Sequence, residues 1–262
     1  MAFDLKGIQT AAAVRISLAV RLLFVASAEV FCMPRIDEHR AIQAIAKKVL
    51  AEIQDTLTAA DSERTIATRA RQLLAAYGIT ETWYYDCPAL VLAGDRTCLS
   101  VSGRDYVPAD SEIGMTSLVT VDLSPSLRGV WGDCARSLFI EDGVPVRQPR
   151  NQEFATGLAV INELHAKVCG FATPRTTFEE LCQFASARLE LLGFVNLDFL
   201  GNVGHTIETD LNARRYLEPG NSQPLQTTQL FTFEPHIKSE RGHWGFKHEE
   251  IYHFDYDQLR SL

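Results

Sequence analysis

The sequence predicts an α+β fold built from two similar halves, each laid out as two helices followed by strands. Three observations predict it. Apolar residues recur at helical spacing in four segments that fall into two pairs, strand-like runs follow each pair, and no Pro- or Ser-rich linker separates the halves.

The elements read in order as follows. Residues 1–35 form an N-terminal extension that is helical, signal-like or the product of a start assigned too early. Its apolar run is interrupted by Arg15 and Arg21, and Met33 is an alternative beginning. From Glu38 to Leu57 one helical stripe carries Ile42, Ile45, Val49, Leu50 and Ile53. Asp61 is expected to cap a second helix with Ile66, Ala70, Leu73, Leu74 and Tyr77 on one side and Gly78 past its end. Strand-like material follows in ETWYYD and ALVLAG, then a hairpin from Leu118 to Ile140 turning at Arg128-Gly129. The second half repeats the plan. A helix spans Asn151 to Val168, Thr176 and Thr177 each have a Glu three residues on, and Gly193 closes the helix they open. Strands then run around His205, Glu234 and Glu249. Residues 36–262 are read as one domain.

A chain of 262 residues is long enough for a sizeable core. Its net charge of −8 argues against a nucleic-acid partner, which needs a basic surface. The N-terminal run is too short and too charged for a membrane span. Six scattered cysteines without a C-x-x-C pair suggest reduced thiols and a cytoplasmic location. Alternation turns Cys134 away from the face of Asp133.

The chemistry gathers on acids. In the first hairpin, Asp122 and Asp133 sit directly opposite each other if the turn centres between Leu127 and Arg128, with Cβ atoms roughly 4.5–5.5 Å apart. Carboxylates that close repel unless a proton or a metal lies between them. Glu234 ends one strand-like run and Glu249 begins another, symmetric about Arg241-Gly242. His205 lies between the pairs, in GNVGHTIE. Four carboxylates and an imidazole suit a pair of divalent ions, Mn, Co, Fe or Zn, better than a thiolate zinc site.

The order Asp122, Asp133 with Arg136, Gly204-His205, Glu234-Pro235 and Gly245 to Glu249 resembles the pita-bread metallopeptidases: methionine aminopeptidases, Xaa-Pro aminopeptidases, prolidases and their relative creatinase. The resemblance covers roughly residues 36–262 and leaves no room for the N-terminal domain of prolidases. It implies a pita-bread fold of two pseudo-symmetric halves around a central antiparallel sheet, and a possible homodimer. It also implies that Asp122, Asp133, His205, Glu234 and Glu249 hold two divalent ions. The implied function is cleavage of a small peptide or amide by a metal-activated water, with Glu234 as both ligand and proton carrier. Arg136 matches an Arg of the family signature and is expected to pair with an acid near the site. Glu249 is the expected last ligand and Glu250 a second acid beside it. Lys247 stands where the proline-specific relatives commonly carry Arg, and is expected to hold a carboxylate as a point charge.

Two family histidines are replaced. The upstream one falls near Arg104-Asp105-Tyr106, which makes Asp105 and Tyr106 candidate substrate-binding residues. The other is Asn212, which can donate a hydrogen bond but cannot deliver a proton. His243, with His236 and His248, is the candidate to compensate. The alternatives are another reaction on a small metabolite, creatinase- or lyase-like, and a non-catalytic binding module.

Overall fold

The computed structural model describes residues 36–262; the N-terminal extension read at 1–35 lies outside the described residues. The first half opens with helices α1 (Ile36–Thr56) and α2 (Glu63–Ala76). The buried face of α1 carries Ile42, Val49, Leu50 and Ile53 of the stripe read from its periodicity, together with Ala46, Gln43 and Gln54, while Ile45 is only partly buried. The cap of α2 differs from expectation. Ser62 accepts from the Thr65 N–H and the Thr65 hydroxyl accepts from the Ser62 N–H. Asp61 instead binds the side chains of Thr65 and Arg69, one residue too early to cap.

Four strands follow as an antiparallel sheet, β2 (Ala89–Ala93), β3 (Ser117–Leu123), β6 (Cys134–Glu141) and β7 (Val144–Val146), in the order β2-β3-β6-β7. The tip of the β3–β6 hairpin, β4 (Pro125–Leu127) and β5 (Val130–Trp131), bends away to pair with β1 (Glu81–Thr82). The second half repeats the plan with α3 (Gln152–Phe171), capped by Asn151, and α4 (Phe178–Leu191), capped by the Thr177–Glu180 box. Its strands are β8 (Phe194–Asn196), β9 (Phe231–Phe233), β10 (His236–Ser239), β11 (Gly245–Lys247), β12 (Glu250–Asp255) and β13 (Gln258–Ser261). They form two three-stranded sheets, β8-β10-β11 and β9-β12-β13.

Each pair of helices covers its own core. Val119, Val121 and Leu123 of β3, with Cys134, Leu138 and Ile140 of β6, pack against α1 and α2. Phe139 and Leu118 point the other way, into the core under α3 and α4 with Phe154, Phe178, Phe233 and Phe246. The period of two therefore buries both faces of β3 and β6. Between these cores the remaining inward positions of the sheet, Thr120 and Asp122, face a cavity. No described helix is long and apolar enough to cross a membrane.

Candidate metal centre

A cavity of about 140 Å³ opens between the halves, and Asp122, Asp133, His205, Glu234 and Lys247 line it. The register of the first hairpin differs from expectation. Asp122 faces Ala135 and Leu123 faces Cys134, so Asp133 lies diagonal to Asp122. The turn centres at Arg128-Gly129, where Ser126 pairs with Trp131 and Leu127 with Val130. The offset is two residues, one full period, so both acids still point to one face. In the second hairpin Glu250 faces Phe233 and His236 faces Lys247. That register sets Glu234 opposite Glu249, both in the break between strand segments.

Backbone anchors from elsewhere set these acids. The buried Gln43 amide of α1 donates to the Asp133 carbonyl (2.6 Å) while its oxygen accepts the Asp133 N–H (2.9 Å). The Glu234 N–H donates to Val203 (2.8 Å) and the Glu249 N–H to Ala135 (2.9 Å). His205 donates its N–H to the Thr232 hydroxyl (3.0 Å). Its Nδ1 lies 3.0 Å from the Thr206 carbonyl, so Nδ1 carries the proton and Nε2 presents a lone pair. Gly204 is required beside it, because a Cβ there would stand 2.2 Å from the Thr232 carbonyl oxygen.

The five side chains divide in two. At one end, Asp133, His205 and Glu249 bring one ligand atom each within 4.8 Å of one another, all three buried. His205 Nε2 is 3.4 Å from Asp133 Oδ2 and 3.6 Å from Glu234 Oε1. Asp133 Oδ2 and both oxygens of Glu249 have no hydrogen-bond partner among the described residues. Burial, then the charges of Asp122 and Glu234, pushes the Asp133 carboxyl up. Burial, then Asp133, Glu234 and Asp122, does the same to Glu249. Buried anionic oxygens without donors are strongly destabilising unless a cation or proton satisfies them, so this donor set fits a divalent ion. At the other end, Lys247 Nζ lies 2.5 Å from Asp122 Oδ2 and 3.2 Å from Glu234 Oε2. Burial alone would raise the Glu234 carboxyl, but Lys247 and then His205 outweigh it and hold Glu234 below its usual value.

Glu250 turns from the cavity and pairs with Arg136 and with Lys47 (2.8 Å). Arg136 also donates to the carbonyls of Ala135 (2.8 Å) and Glu249 (2.7 Å), the pairing role expected of it. Cys134 is buried in the first-half core, away from Asp133. His236 lines the cavity but spends Nε2 on the Thr97 carbonyl (2.7 Å), and burial, then Lys247, lowers it to about 4. His248 stacks on His165 and lies 3.7 Å from Glu250, outside the cavity lining.

Glu249 is buried behind the cavity lining, and four further expected site residues also lie outside it. Asp105 is exposed in a tight turn, donating its N–H to Ser102. The Tyr106 hydroxyl is consumed at the edge of β2, accepting from the Val91 N–H and donating to the Val91 carbonyl. Asn212 is exposed, held outward because its N–H and side-chain amide both donate to Asp210. His243 is exposed in the β10–β11 turn, its N–H bound to Glu153. The residue that does reach the cavity from the Asn212 segment is Arg214, which sequence reasoning missed. Its guanidinium lies 5.2–5.6 Å from the ring centroids of Trp83, Tyr84 and Tyr216. No motif marks Arg214. Gln43 had a signal, a polar residue inside an otherwise apolar helical face.

The family model described as Metallopeptidase family M24 matches residues 37–254. Similar solved structures include an X-Pro aminopeptidase from Thermotoga maritima, 18% identical with a TM-score of 0.71, covering 86% of this chain and 60% of that one. A dipeptidase from Mycobacterium ulcerans is 20% identical with a TM-score of 0.69, covering 86% and 57%. A methionine aminopeptidase from Thermotoga maritima is 14% identical with a TM-score of 0.67, covering 85% and 93%. This chain thus spans about 60% of the length of the X-Pro aminopeptidase. At these identities the likeness is one of fold, the α+β pita-bread fold expected from the motifs. No curated protein sequence matches.

Proposed function

The chain belongs to metallopeptidase family M24, and from that premise we propose that it is a metal-dependent hydrolase of small peptides or amides, of the aminopeptidase or dipeptidase type. The observation that carries the reading is the buried Asp133–His205–Glu249 group, whose carboxylate oxygens lack donors. Asp133, His205 and Glu249 would hold the ion, with Glu234 beside them. A divalent ion bound there would supply Lewis acidity, polarising a scissile carbonyl and acidifying water.

The remaining work falls to the chain itself. Glu234, kept ionised by Lys247, would accept the proton of the attacking water at Oε1, the oxygen nearer His205 Nε2. It would then return that proton to the leaving amine. The Arg214 guanidinium has a single hydrogen bond, from Nε to the Leu211 carbonyl (3.0 Å), and no carboxylate partner among the described residues. It would hold the free carboxylate of a short peptide, with Trp83, Tyr84 and Tyr216 restricting it to one position. Leu99, Phe199 and Leu200, exposed apolar residues of the cavity wall, would receive an uncharged side chain.

The test is a library of Xaa-Pro, N-terminal Met and other dipeptides, each also as its C-terminal amide, offered to the full chain with Mn²⁺ or Co²⁺. Cleavage is expected, with free carboxylates preferred. Glu234→Ala is expected to lower kcat roughly 10²- to 10⁴-fold; undiminished turnover in that variant rules the mechanism out. A second reading, a different reaction on a small metabolite, is favoured by the outward placement of Asn212 and His243. These leave His205 and His236 as the cavity's histidines. It would be recognised by metabolite turnover without peptide turnover.

A further inference from the structure

The two ends of the carboxylate cluster are not in the same electrostatic state, and the side chain that makes them differ is Lys247. We propose that the Lys247 ammonium is a built-in cation that takes the place of one divalent ion, so that this chain binds a single metal at the Asp133–His205–Glu249 end. The inference rests on the metal-dependent reading above and departs from the expected two-ion centre.

Three observations carry it. First, Nζ bridges the two acids farther from that end, Asp122 Oδ2 at 2.5 Å and Glu234 Oε2 at 3.2 Å. Both oxygens are thereby satisfied by a resident cation, whereas Asp133 Oδ2 and the Glu249 carboxylate are not. Second, the lysine is held in place. The Lys247 N–H donates to the Ser137 hydroxyl (2.9 Å), and that hydroxyl donates to the Lys247 carbonyl (3.1 Å). Two residues earlier Gly245 lies against the segment Gly94–Cys98, where a Cβ would stand 2.0 Å from the Thr97 carbonyl oxygen. The lysine side chain is only 18% exposed, so it does not swing into solvent without losing both partners. Third, Lys247 already supplies positive charge at the end where a second divalent cation would sit, and a cation placed against that buried ammonium would meet like-charge repulsion that a low-dielectric site screens poorly. An ammonium also differs from a guanidinium in geometry. It is a compact point charge that can stand between two oxygens as a metal does, where a planar fork would lie along one carboxylate.

The experiment is a metal count on the full chain. Chelator-stripped protein is titrated with Mn²⁺, and bound metal is read by elemental analysis and by electron paramagnetic resonance. Wild type is expected to saturate at one Mn²⁺ per chain with the spectrum of an isolated ion. Lys247→Ala and Lys247→Gln are each expected to take up a second ion and give the exchange-coupled spectrum of a pair. Circular dichroism identifies which of the two neutral variants is folded for the count. Two coupled ions in wild type overturn the proposal while leaving the metallohydrolase reading intact, as does a folded neutral variant that stays at one. No bound Mn²⁺ in wild type or in either neutral variant overturns both.

Discussion

The two hairpins that furnish the four carboxylates hold them by different means. In the first, Asp122 sits inside the β3–β6 ladder opposite Ala135, so the pleat alone aims its side chain. Asp133 lies just before β6, and Gln43, a neutral amide from α1, clamps its backbone. In the second, both acids lie in the break between strand segments, where Pro235 has no N–H to offer. Glu249 is held by its own N–H to Ala135 and, behind it, by ions: Glu250 between Arg136 and Lys47. The difference teaches that an acid within a ladder is aimed locally, whereas an acid in a break needs an anchor from a distant segment. A neutral anchor and a charged anchor then fail in different ways.

That contrast can be broken most forcefully at Arg136. Removing it leaves Glu250 buried beside a half-exposed lysine, and Arg136→Ala is expected to cost about 3–5 kcal/mol in a urea melt. A loss below about 1 kcal/mol would mean that backbone bonds alone anchor the second hairpin. Gln43→Ala tests the neutral anchor. It should cost about 1–3 kcal/mol, because a buried donor and acceptor of Asp133 lose their partners. Mn²⁺ affinity should also fall about 10- to 100-fold, as for other supports of a metal ligand. Unchanged affinity would show that the ladder positions Asp133 as it positions Asp122.

The smallest effect concerns the links between paired helices, which show the same contrast. Asp61 and Arg69 form an ion pair before α2, at 2.5 Å. Before α4 the corresponding contacts are hydroxyls, Thr173 with Thr176 at 3.1 Å. Burial pushes the Asp61 carboxyl up, but the Thr58 N–H, Arg69 and Thr65 together hold it below its usual value. A lowered folded pKa means stability that is present above the ordinary carboxylate range and lost as pH falls through the folded value. Wild type should therefore lose more stability than Asp61→Asn when urea melts at pH 6 are repeated at pH 3. Parallel losses in the two proteins would show that this ion pair contributes nothing.

Much of the architecture was legible in local patterns. The stripe of Ile42, Val49, Leu50 and Ile53, the Thr177–Glu180 box and the alternation through Val119 and Val121 are short-range periodicities, and short-range sterics write them into the chain. The site was legible in part, because motif spacing carries which acids share a face. A register slip of two residues separates the expected Asp122–Asp133 pairing from the observed one, and alternation is blind to a slip of a whole period. The outward placement of Asn212 and His243 was illegible for a related reason. Spacing along the chain does not say which residue of a loop turns inward, and the Asp210 cap sends Asn212 out while Arg214 turns in.

By itself, then, the sequence determined the two-half α+β plan, the face each acid presents and the family to which the chain belongs. Only the tertiary structure decided how charge is shared within the site. Lys247 meets Asp122 across 125 positions and Gln43 meets Asp133 across 90. Contacts that remote arise from the packing of whole elements against one another, and no local periodicity encodes them.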